Sequence, residues 1–237
     1  MSRRGYHAVQ MTHRAAVPAA SRMIGATLVT AGYEALADEA VKRFRACTGL
    51  DTMVLRSESE SGYFTKLQLP ELLGDCTVIF YDADWWAVAP WAVAQYAGTP
   101  ALVAVHDPAA GGAHHFPRLD ADQWGLPRGE YFNTGLMIWD NANPLHRAVF
   151  RTARALYNAH LAGNVKALTD RTEQSWINVA RHLLGCPLDL LPLAHNYFHY
   201  LAEAGLAHPP AVIAGLHAAG VPLADKLAHL RGKAECL

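Results

Sequence analysis

A strand, a helix and a second strand follow one another near the start of the chain, and this order constrains the fold more than any other feature. Residues 23–30 (MIGATLVT) are apolar and partly β-branched, which predicts a buried strand. Residues 33–47 then carry apolar side chains at helical spacing, Gly49 ends that helix, and residues 52–55 predict a second strand. Strands joined by a helix pair in parallel, so the pattern predicts an α/β fold.

The rest of the chain continues this pattern and predicts one domain over residues 22–237 that ends in a small C-terminal lobe. Further strands are expected at residues 76–81, 101–105 and 134–140, and helices at residues 64–69, 90–96, 144–160, 172–184 and 222–230. Residues 106–130 hold prolines, glycines and two adjacent histidines, which is typical of a long functional loop. Residues 1–21 lack a continuous apolar segment and predict a loose N-terminal arm rather than a signal peptide.

Composition narrows the class of partner. Hydrophobic residues make up 51% of the 237 residues and charged residues 17%, which predicts a large core. The formal net charge of -1 argues against nucleic acid or an anionic membrane as the main partner. No segment approaches the ~20 consecutive apolar residues of a membrane-spanning helix. Four widely separated cysteines indicate free thiols, so we expect a protein of the reducing cytoplasm.

Two aspartates follow an apolar strand in VIFYDADWW, residues 78–86. In an extended segment residues i and i+2 point the same way, so Asp82 and Asp84 face one spot beyond the carboxyl end of this strand. Open α/β sheets bind ligands at that end. The two negative charges repel each other, and a hard divalent cation such as Mg²⁺ or Mn²⁺ removes this penalty. A solvated loop or a helix cap explains the same pattern without a ligand.

Three other polar stretches have ordinary structural explanations when each is taken alone. Asn133 and Gly135 precede an apolar strand in EYFNTGLMIWDN and fit a turn. Gln174 lies near the start of a helix in RTEQSWIN and fits the solvated face of an amphipathic helix. His217, in VIAGLHAAG, fits a surface or packed histidine. These residues gain a functional interpretation only together with the aspartate pair.

Six segments occur in an order that resembles the family 8 glycosyltransferases, the group of glycogenin and the bacterial galactosyltransferases. They are GYEALADEAVKRF, KLQLPELLGDCTVIFYDADWW, YFNTGLMIWD, TEQSWIN, LPLAHNYF and LHAAG. The resemblance implies the GT-A fold of nucleotide-diphospho-sugar transferases, an α/β fold in which a mostly parallel central sheet is flanked by helices. It also implies transfer of a sugar, with retention, from a nucleotide-sugar donor that is usually a UDP-sugar, with Mn²⁺ or Mg²⁺ as the metal.

The resemblance also implies roles for individual residues around the diphosphate and the base. Asp82, Asp84 and His217 match the metal ligands of the family. Lys66 matches a basic residue that contacts the donor, and Tyr33 matches an aromatic residue near the nucleotide base. The metal and a lysine would neutralise the departing diphosphate, so no strong general acid is required.

On the sugar side, Asn133 and Gly135 match the segment that lines the sugar pocket. Gln174 matches the polar residue under the reacting carbon, and Glu173 matches the acidic residue beside it. The sugar ring becomes positively charged as its bond to phosphate breaks. The resemblance therefore predicts that the amide oxygens of Gln174 and Asn133 stabilise this charge.

Two departures from the family pattern leave parts of the function open. The family often has an acidic residue just before the tyrosine to read uracil, and here residues 30–32 are TAG. The family's C-terminal HxxGxxKPW keeps its histidine as His217 and its glycine as Gly220. Leu223 replaces the lysine, and Lys226 follows one helical turn later as a substitute. A degenerate GT-A domain that binds a nucleotide-sugar or glycan without turnover is therefore the alternative.

The sequence does not identify the acceptor, because acceptor pockets are built from variable loops. A glycan, a lipid-linked group, a small molecule and a protein all stay open as acceptors. Whether the chain forms a homo-oligomer also stays open. A sugar-1-phosphate nucleotidylyltransferase is disfavoured, because the segment after the first strand, VTAGYEALADEA, lacks the glycine-rich basic loop of that class.

Overall fold

The computed structural model describes residues 10–12, 22–57, 62–107, 124–164, 172–198, 210 and 212–235. Its strands are β1 (Gln10–Thr12), β2 (Met23–Val29), β3 (Thr52–Arg56), β4 (Thr77–Tyr81), β5 (Trp85–Ala87), β6 (Leu102–His106), β7 (Phe132–Asp140), β8 (Leu188–Leu191), β9 (Tyr197–Phe198) and β10 (Gly215–His217). Its α-helices are α1 (Glu34–Thr48), α2 (Tyr63–Lys66), α3 (Leu69–Leu72), α4 (Pro144–Leu161), α5 (Glu173–Leu183) and α6 (Leu223–Glu235). Short 3₁₀ turns lie at Val93–Tyr96, Arg128–Glu130 and Leu193–His195.

Seven of the described strands form the central sheet in the order β1-β3-β2-β4-β7-β6-β8. β2 pairs in parallel with both β3 and β4, as the strand–helix–strand pattern predicts, and β6 pairs in parallel with β8. β7 runs antiparallel to both β4 and β6, and β1 runs antiparallel to β3. The predicted α/β architecture with helices around a mostly parallel central sheet is confirmed, because β2, β3, β4, β6 and β8 all run in one direction and β1 and β7 run opposite to them.

Helices cover both faces of this sheet, and β4 is buried along its whole length. Val78 and Phe80 belong to the core cluster that includes residues of α4 and α5. Ile79 and Tyr81 belong to the cluster that includes residues of α1 and α6. This alternation follows from the two-residue period of a strand. It explains the uninterrupted apolar run before the aspartates, because a strand covered on both faces needs apolar side chains at every position.

A second, three-stranded sheet in the order β5-β10-β9 ties the C-terminal part of the chain to the end of β4. β10 pairs antiparallel to β5 with His217 opposite Trp85, and in parallel with β9 with His217 opposite Phe198. Trp85 directly follows Asp84 in the chain. This register therefore places His217 beside the aspartate pair.

Residues 10–12, predicted as part of a loose arm, instead form β1 against residues 54–56. The free edge of β3 offers unpaired backbone groups, and such an edge readily takes up another strand. Residues 1–9 and 13–21 of the predicted arm lie outside the described residues.

The helix expected at residues 64–69 is two short helices, α2 and α3. Pro70, within the first turn of α3, has no N–H to donate to the carbonyl of Lys66, which interrupts a continuous helix. The helix expected at residues 90–96 is only a 3₁₀ turn. Much of the predicted loop, residues 108–123, lies outside the described residues. Among the described helices, none is long and apolar enough to cross a membrane.

Candidate functional site

A cleft of about 330 Å³ lies beyond the carboxyl ends of β2 and β4. Its walls come from the end of β2, the turn after β4, the start of β7, the first turn of α5 and the end of β10. Eight of the predicted site residues line it, namely Tyr33, Lys66, Asp82, Asp84, Asn133, Glu173, Gln174 and His217. The cleft thus brings together side chains from segments that are far apart in the chain.

Asp82, Asp84 and His217 form the centre of the cleft. Each offers one ligand atom, and these atoms all lie within 4.8 Å of one another. The imidazole Nε2 of His217 is 3.3 Å from Oδ1 of Asp84 and 3.8 Å from Oδ2 of Asp82. The backbone holds this arrangement, because the N–H of Asp82 donates to Gly135 O and the N–H of Ala218 donates to Asp84 O.

Two buried lysines pair with the other oxygens of the same carboxylates. Lys66 Nζ is 2.8 Å from Oδ1 of Asp82 and 2.7 Å from Oε1 of Glu173. Lys226 Nζ is 2.5 Å from Oδ2 of Asp84 and donates to the carbonyl of Ala218 at 2.6 Å. Each aspartate therefore gives one oxygen to a lysine and turns its second oxygen towards His217.

These contacts shift the pKa values of the two aspartates in opposite directions. Burial raises the pKa of Asp82, and the nearby Lys66 and His217 offset this effect only in part. Burial also acts to raise the pKa of Asp84, but His217 and Lys226 outweigh it, so the pKa of Asp84 is lowered. Burial acts to lower the pKa of Lys66, but Asp82 and Glu173 outweigh it and raise the pKa. Asp84 and Lys66 are therefore the firmly ionised members of this cluster.

The donor set fits a hard divalent cation. Among the described residues, no lysine contacts Oδ2 of Asp82 or Oδ1 of Asp84, and these oxygens lie 3.8 Å and 3.3 Å from Nε2 of His217. Carboxylate oxygen and imidazole nitrogen are accepted ligands of Mn²⁺, and carboxylate oxygen is the preferred ligand of Mg²⁺. Asp82, Asp84 and His217 are therefore the residues that would hold a metal here.

Glu173 contributes a buried carboxylate in which only one of the two oxygens has a partner among the described residues. Its Oε1 contacts Lys66 and accepts a hydrogen bond from Thr134 Oγ1 at 2.9 Å. Its Oε2 is buried and has no hydrogen-bond partner among the described residues. Buried polar atoms without a partner are rare, so Oε2 keeps an acceptor that no described residue uses.

Gln174 is buried, whereas the amphipathic-helix explanation placed it on a solvated face. All of residues 173–181 of α5 are buried, so the first turn of this helix presents its polar side chains to the protein interior. Oε1 of Gln174 accepts hydrogen bonds from Asn133 Nδ2 at 3.0 Å and from the N–H of Thr134 at 3.2 Å. Nε2 donates to Oδ2 of Asp107 at 2.9 Å.

Gly135 and Gly220 are close to the site without lining the cleft. An added Cβ at Gly135 would lie 2.8 Å from Asn133 Oδ1 and would overlap the imidazole of His217. The residue thus permits β7 to pass directly beside the ring. Gly220 has a φ of 79° and forms the turn between β10 and α6. Tyr33 precedes α1, and its ring centroid is 6.0 Å from Lys226 Nζ.

No family model and no curated protein matches the chain. Solved structures do match it. The WbbM bifunctional glycosyltransferase gives a TM-score of 0.63 and 15% identity, over 84% of this chain and only 46% of that one. The galactosyltransferase LgtC, in complex with donor and acceptor sugar analogs, gives a TM-score of 0.57 and 16% identity. The match covers 84% of this chain and 88% of that one. The chain has the GT-A glycosyltransferase fold.

The resemblance to GT-A glycosyltransferases is therefore confirmed at the level of the fold. Mouse xyloside xylosyltransferase 1 shares this GT-A fold with a TM-score of 0.56 at 9% identity, over 84% of this chain and 98% of that one. At such identities the match concerns the path of the backbone. The match therefore shows the backbone fold of this GT-A domain and not the roles of its individual side chains.

Asp107 and Asn196 belong to the polar interior of this GT-A domain, and the motif analysis did not single them out. Asp107 directly follows β6, just as Asp82 directly follows β4, so its position at the end of a strand was a usable signal. Asn196 lies within LPLAHNYF, between the 3₁₀ turn Leu193–His195 and strand β9. Its contact with His217 depends on the pairing of β9 with β10, which local sequence does not reveal.

Proposed function

We propose that the protein is a metal-dependent glycosyltransferase that moves a sugar from a nucleotide-diphosphate donor, a UDP-sugar by resemblance, to an acceptor. The observation that carries this proposal is the convergence of Asp82, Asp84 and His217 in the cleft of a GT-A fold. The acceptor is a glycan, a lipid-linked group, a small molecule or a protein. Retention of anomeric configuration is part of the proposal, by resemblance to family 8.

The charge of the cleft supports a metal and a diphosphate together. The carboxylates of Asp82, Asp84 and Glu173 face the ammonium groups of Lys66 and Lys226, which leaves one formal negative charge. A divalent cation bound there would make the cluster positive and would neutralise the diphosphate as it departs. Lys66 stays charged because its raised pKa keeps the proton on the ammonium, so it adds a fixed positive charge at the same place.

On the sugar side, the contacts favour Glu173 over the amides that the resemblance predicted. The amide oxygen of Gln174 already accepts two hydrogen bonds, and so does that of Asn133. A carbonyl oxygen has two lone pairs, so neither amide oxygen has a free one for the sugar. We therefore assign the sugar-facing acceptor to Oε2 of Glu173 and give Gln174 and Asn133 a positioning role.

One observation favours the alternative of a binding domain without turnover. Lys226 already neutralises Asp84 with a buried ion pair, so this ammonium occupies part of the aspartate pair that a metal would otherwise use. In that case the chain would bind a nucleotide-sugar in the cleft and release no product.

Donor hydrolysis in the presence of Mn²⁺ tests the proposal. A transferase slowly releases nucleotide diphosphate to water, which ³¹P NMR of a panel of nucleotide-sugars detects, and Asp82→Asn is expected to abolish both this release and the Mn²⁺-dependent rise in melting temperature. Asp51→Asn is the matched control, because Asp51 is an exposed aspartate paired with Arg45 outside the cleft. Melting shifts without nucleotide release from any donor would establish the binding domain, and no shift with any donor would refute both. The anomeric configuration of a product, read by ¹H NMR, tests retention.

A further inference from the structure

A row of four hydrogen bonds connects His217 to Asp107 through three buried amides. His217 Nδ1 is 3.0 Å from Asn196 Oδ1, and Asn196 Nδ2 donates to Asn133 Oδ1 at 2.9 Å. Asn133 Nδ2 donates to Gln174 Oε1 at 3.0 Å, and Gln174 Nε2 donates to Asp107 Oδ2 at 2.9 Å. All five side chains are buried. The row runs from the centre of the cleft to a carboxylate at the end of β6.

Two backbone N–H groups determine which amide atoms in this row donate and which accept. The N–H of Gly135 donates to Asn133 Oδ1 at 2.8 Å, and the N–H of Thr134 donates to Gln174 Oε1 at 3.2 Å. A backbone N–H can only donate, so the amide atoms that receive these bonds must be oxygens. Asn133 therefore presents its NH₂ group to Gln174, and Gln174 presents its NH₂ group to the carboxylate.

The same order of donors and acceptors decides which nitrogen of the His217 imidazole carries the proton. Asn133 Oδ1 can only accept, so Asn196 must present Nδ2 to it and must turn Oδ1 towards His217. An amide oxygen has no hydrogen to donate, so Nδ1 of His217 carries the proton of that bond. In the neutral ring the lone pair is then on Nε2, the atom that faces Asp82 and Asp84. This tautomer is the one that can ligate a cation between the aspartates.

We propose that Asn196 is a positioning residue that holds His217 in the Nδ1–H tautomer, with Nε2 directed to the cation site, and that connects this ligand to Asn133 and Gln174. The inference rests on the proposed metal-dependent function. The ring of Phe198 lies against the ring of His217 with centroids 4.8 Å apart, so one face of the imidazole is packed while its Nδ1 edge is hydrogen bonded. The side chain of Asn196 is fully buried. Outer partners of this kind fix the orientation of metal-bound histidines in general.

The test compares Asn196→Ala with Asn196→Asp. The alanine removes both the acceptor for Nδ1–H and the donor to Asn133. The aspartate keeps an acceptor for Nδ1–H, but it replaces the donor to Asn133 with a second acceptor oxygen and adds a negative charge. We expect Mn²⁺ affinity, measured by electron paramagnetic resonance, to fall about 10–100-fold in Asn196→Ala. It should stay within a few-fold of the wild type in Asn196→Asp, while donor turnover falls in both variants. Asn158→Ala, an exposed asparagine of α4, is the control.

The tautomer is read independently by ¹H–¹⁵N NMR of histidine-labelled protein at pH 8, with His217 assigned among the 13 histidines by its loss in His217→Gln. A proton on Nδ1 of wild-type His217 supports the proposal, and an Nδ1 without a proton overturns it. Equal Mn²⁺ affinity in Asn196→Ala and the wild type overturns it as well, as does a loss in Asn196→Asp as large as that in Asn196→Ala. A wild-type protein that binds no Mn²⁺ refutes the proposed function, and the Nδ1 signal still decides the tautomer.

Discussion

Lys226 of α6 places its Nζ 2.5 Å from Oδ2 of Asp84, although the two residues are 142 positions apart in the chain. Only 7% of the lysine side chain and 10% of the aspartate side chain are exposed. The ammonium lies on one side of the carboxylate, and His217 contacts its other oxygen. The position of the last helix is thereby tied to the aspartate pair.

Lys226→Met is expected to destabilise the metal-free protein by about 3–5 kcal/mol, because it leaves a buried carboxylate without its partner. Added Mn²⁺ should restore part of this loss, since the cation takes over the neutralisation of Asp84. Urea unfolding with EDTA and with Mn²⁺ measures both effects. Lys42→Met is the control, because Lys42 is 78% exposed and pairs with Glu39 on the surface of α1. Equal stability of the two variants would contradict the prediction.

The stabilisation that Lys226 provides is also expected to depend on pH. Burial acts to raise the pKa of Asp84, but His217 and Lys226 outweigh this effect and lower the pKa in the native state. The native state then binds fewer protons than the unfolded chain, so the stabilisation is complete above the unfolded value of about 3.9. It is lost as the pH falls towards the lower native pKa. The difference in unfolding free energy between the wild type and Lys226→Met, measured in EDTA, should be full at pH 5–7 and should shrink below about pH 4. A difference that grows on acidification would be the opposite of this expectation.

Glu173→Gln tests the proposal that the carboxylate of Glu173 faces the sugar. We expect the turnover of the donor to fall by about 10²–10³, because a neutral amide replaces the charge that we propose lies beside the reacting sugar. Mn²⁺ affinity should change little, since Glu173 is not among the three residues that converge on the cation site. Steady-state kinetics and Mn²⁺ titration give the two readouts. Glu71→Gln, which removes a partly exposed partner of Arg154, serves as the control. Unchanged turnover would remove Glu173 from the mechanism.

Gly135→Ala tests the close approach of β7 to His217. The added methyl group would overlap the imidazole and crowd Asn133 Oδ1. Overpacking of this kind costs about 1–3 kcal/mol, and displacement of the ring should weaken Mn²⁺ binding. Gly129→Ala is the matched control, because a Cβ there meets no atom within 4 Å. Thermal unfolding and Mn²⁺ titration of the two variants measure the difference, and Mn²⁺ binding by Gly135→Ala at wild-type strength would show that the ring does not need this space.

Local patterns predicted the parts of the fold that depend on neighbouring residues. The apolar run 78–81 indicated a strand buried on both faces, and β4 is buried on both faces. The aspartates after it were expected to face one spot, and their oxygens converge there with His217. The direction of β7 was not predictable in this way, because β7 is buried on both faces and such burial does not reveal which way a strand runs.

The burial of Gln174 shows where pattern analysis failed. Its helix has polar residues at the first turn, which periodicity assigns to solvent. In the structure those side chains meet Asp107, Asn133 and Thr134 instead of water. A polar residue can be buried when its partners are supplied by other segments. Such partners come from long-range contacts, which the spacing of residues within one helix does not contain.

The sequence by itself determined the strand–helix–strand start, the buried strand β4 and the paired carboxylates at its end, because these follow from side-chain periods of two and 3.6 residues. Only the tertiary structure decided that Lys66 and Lys226 neutralise those carboxylates, that His217 turns Nε2 towards them and that Asn196 holds its other nitrogen. These contacts depend on the register of β10 between β5 and β9 and on the docking of α6. Register and docking are set by packing over the whole domain, which no short stretch of sequence encodes.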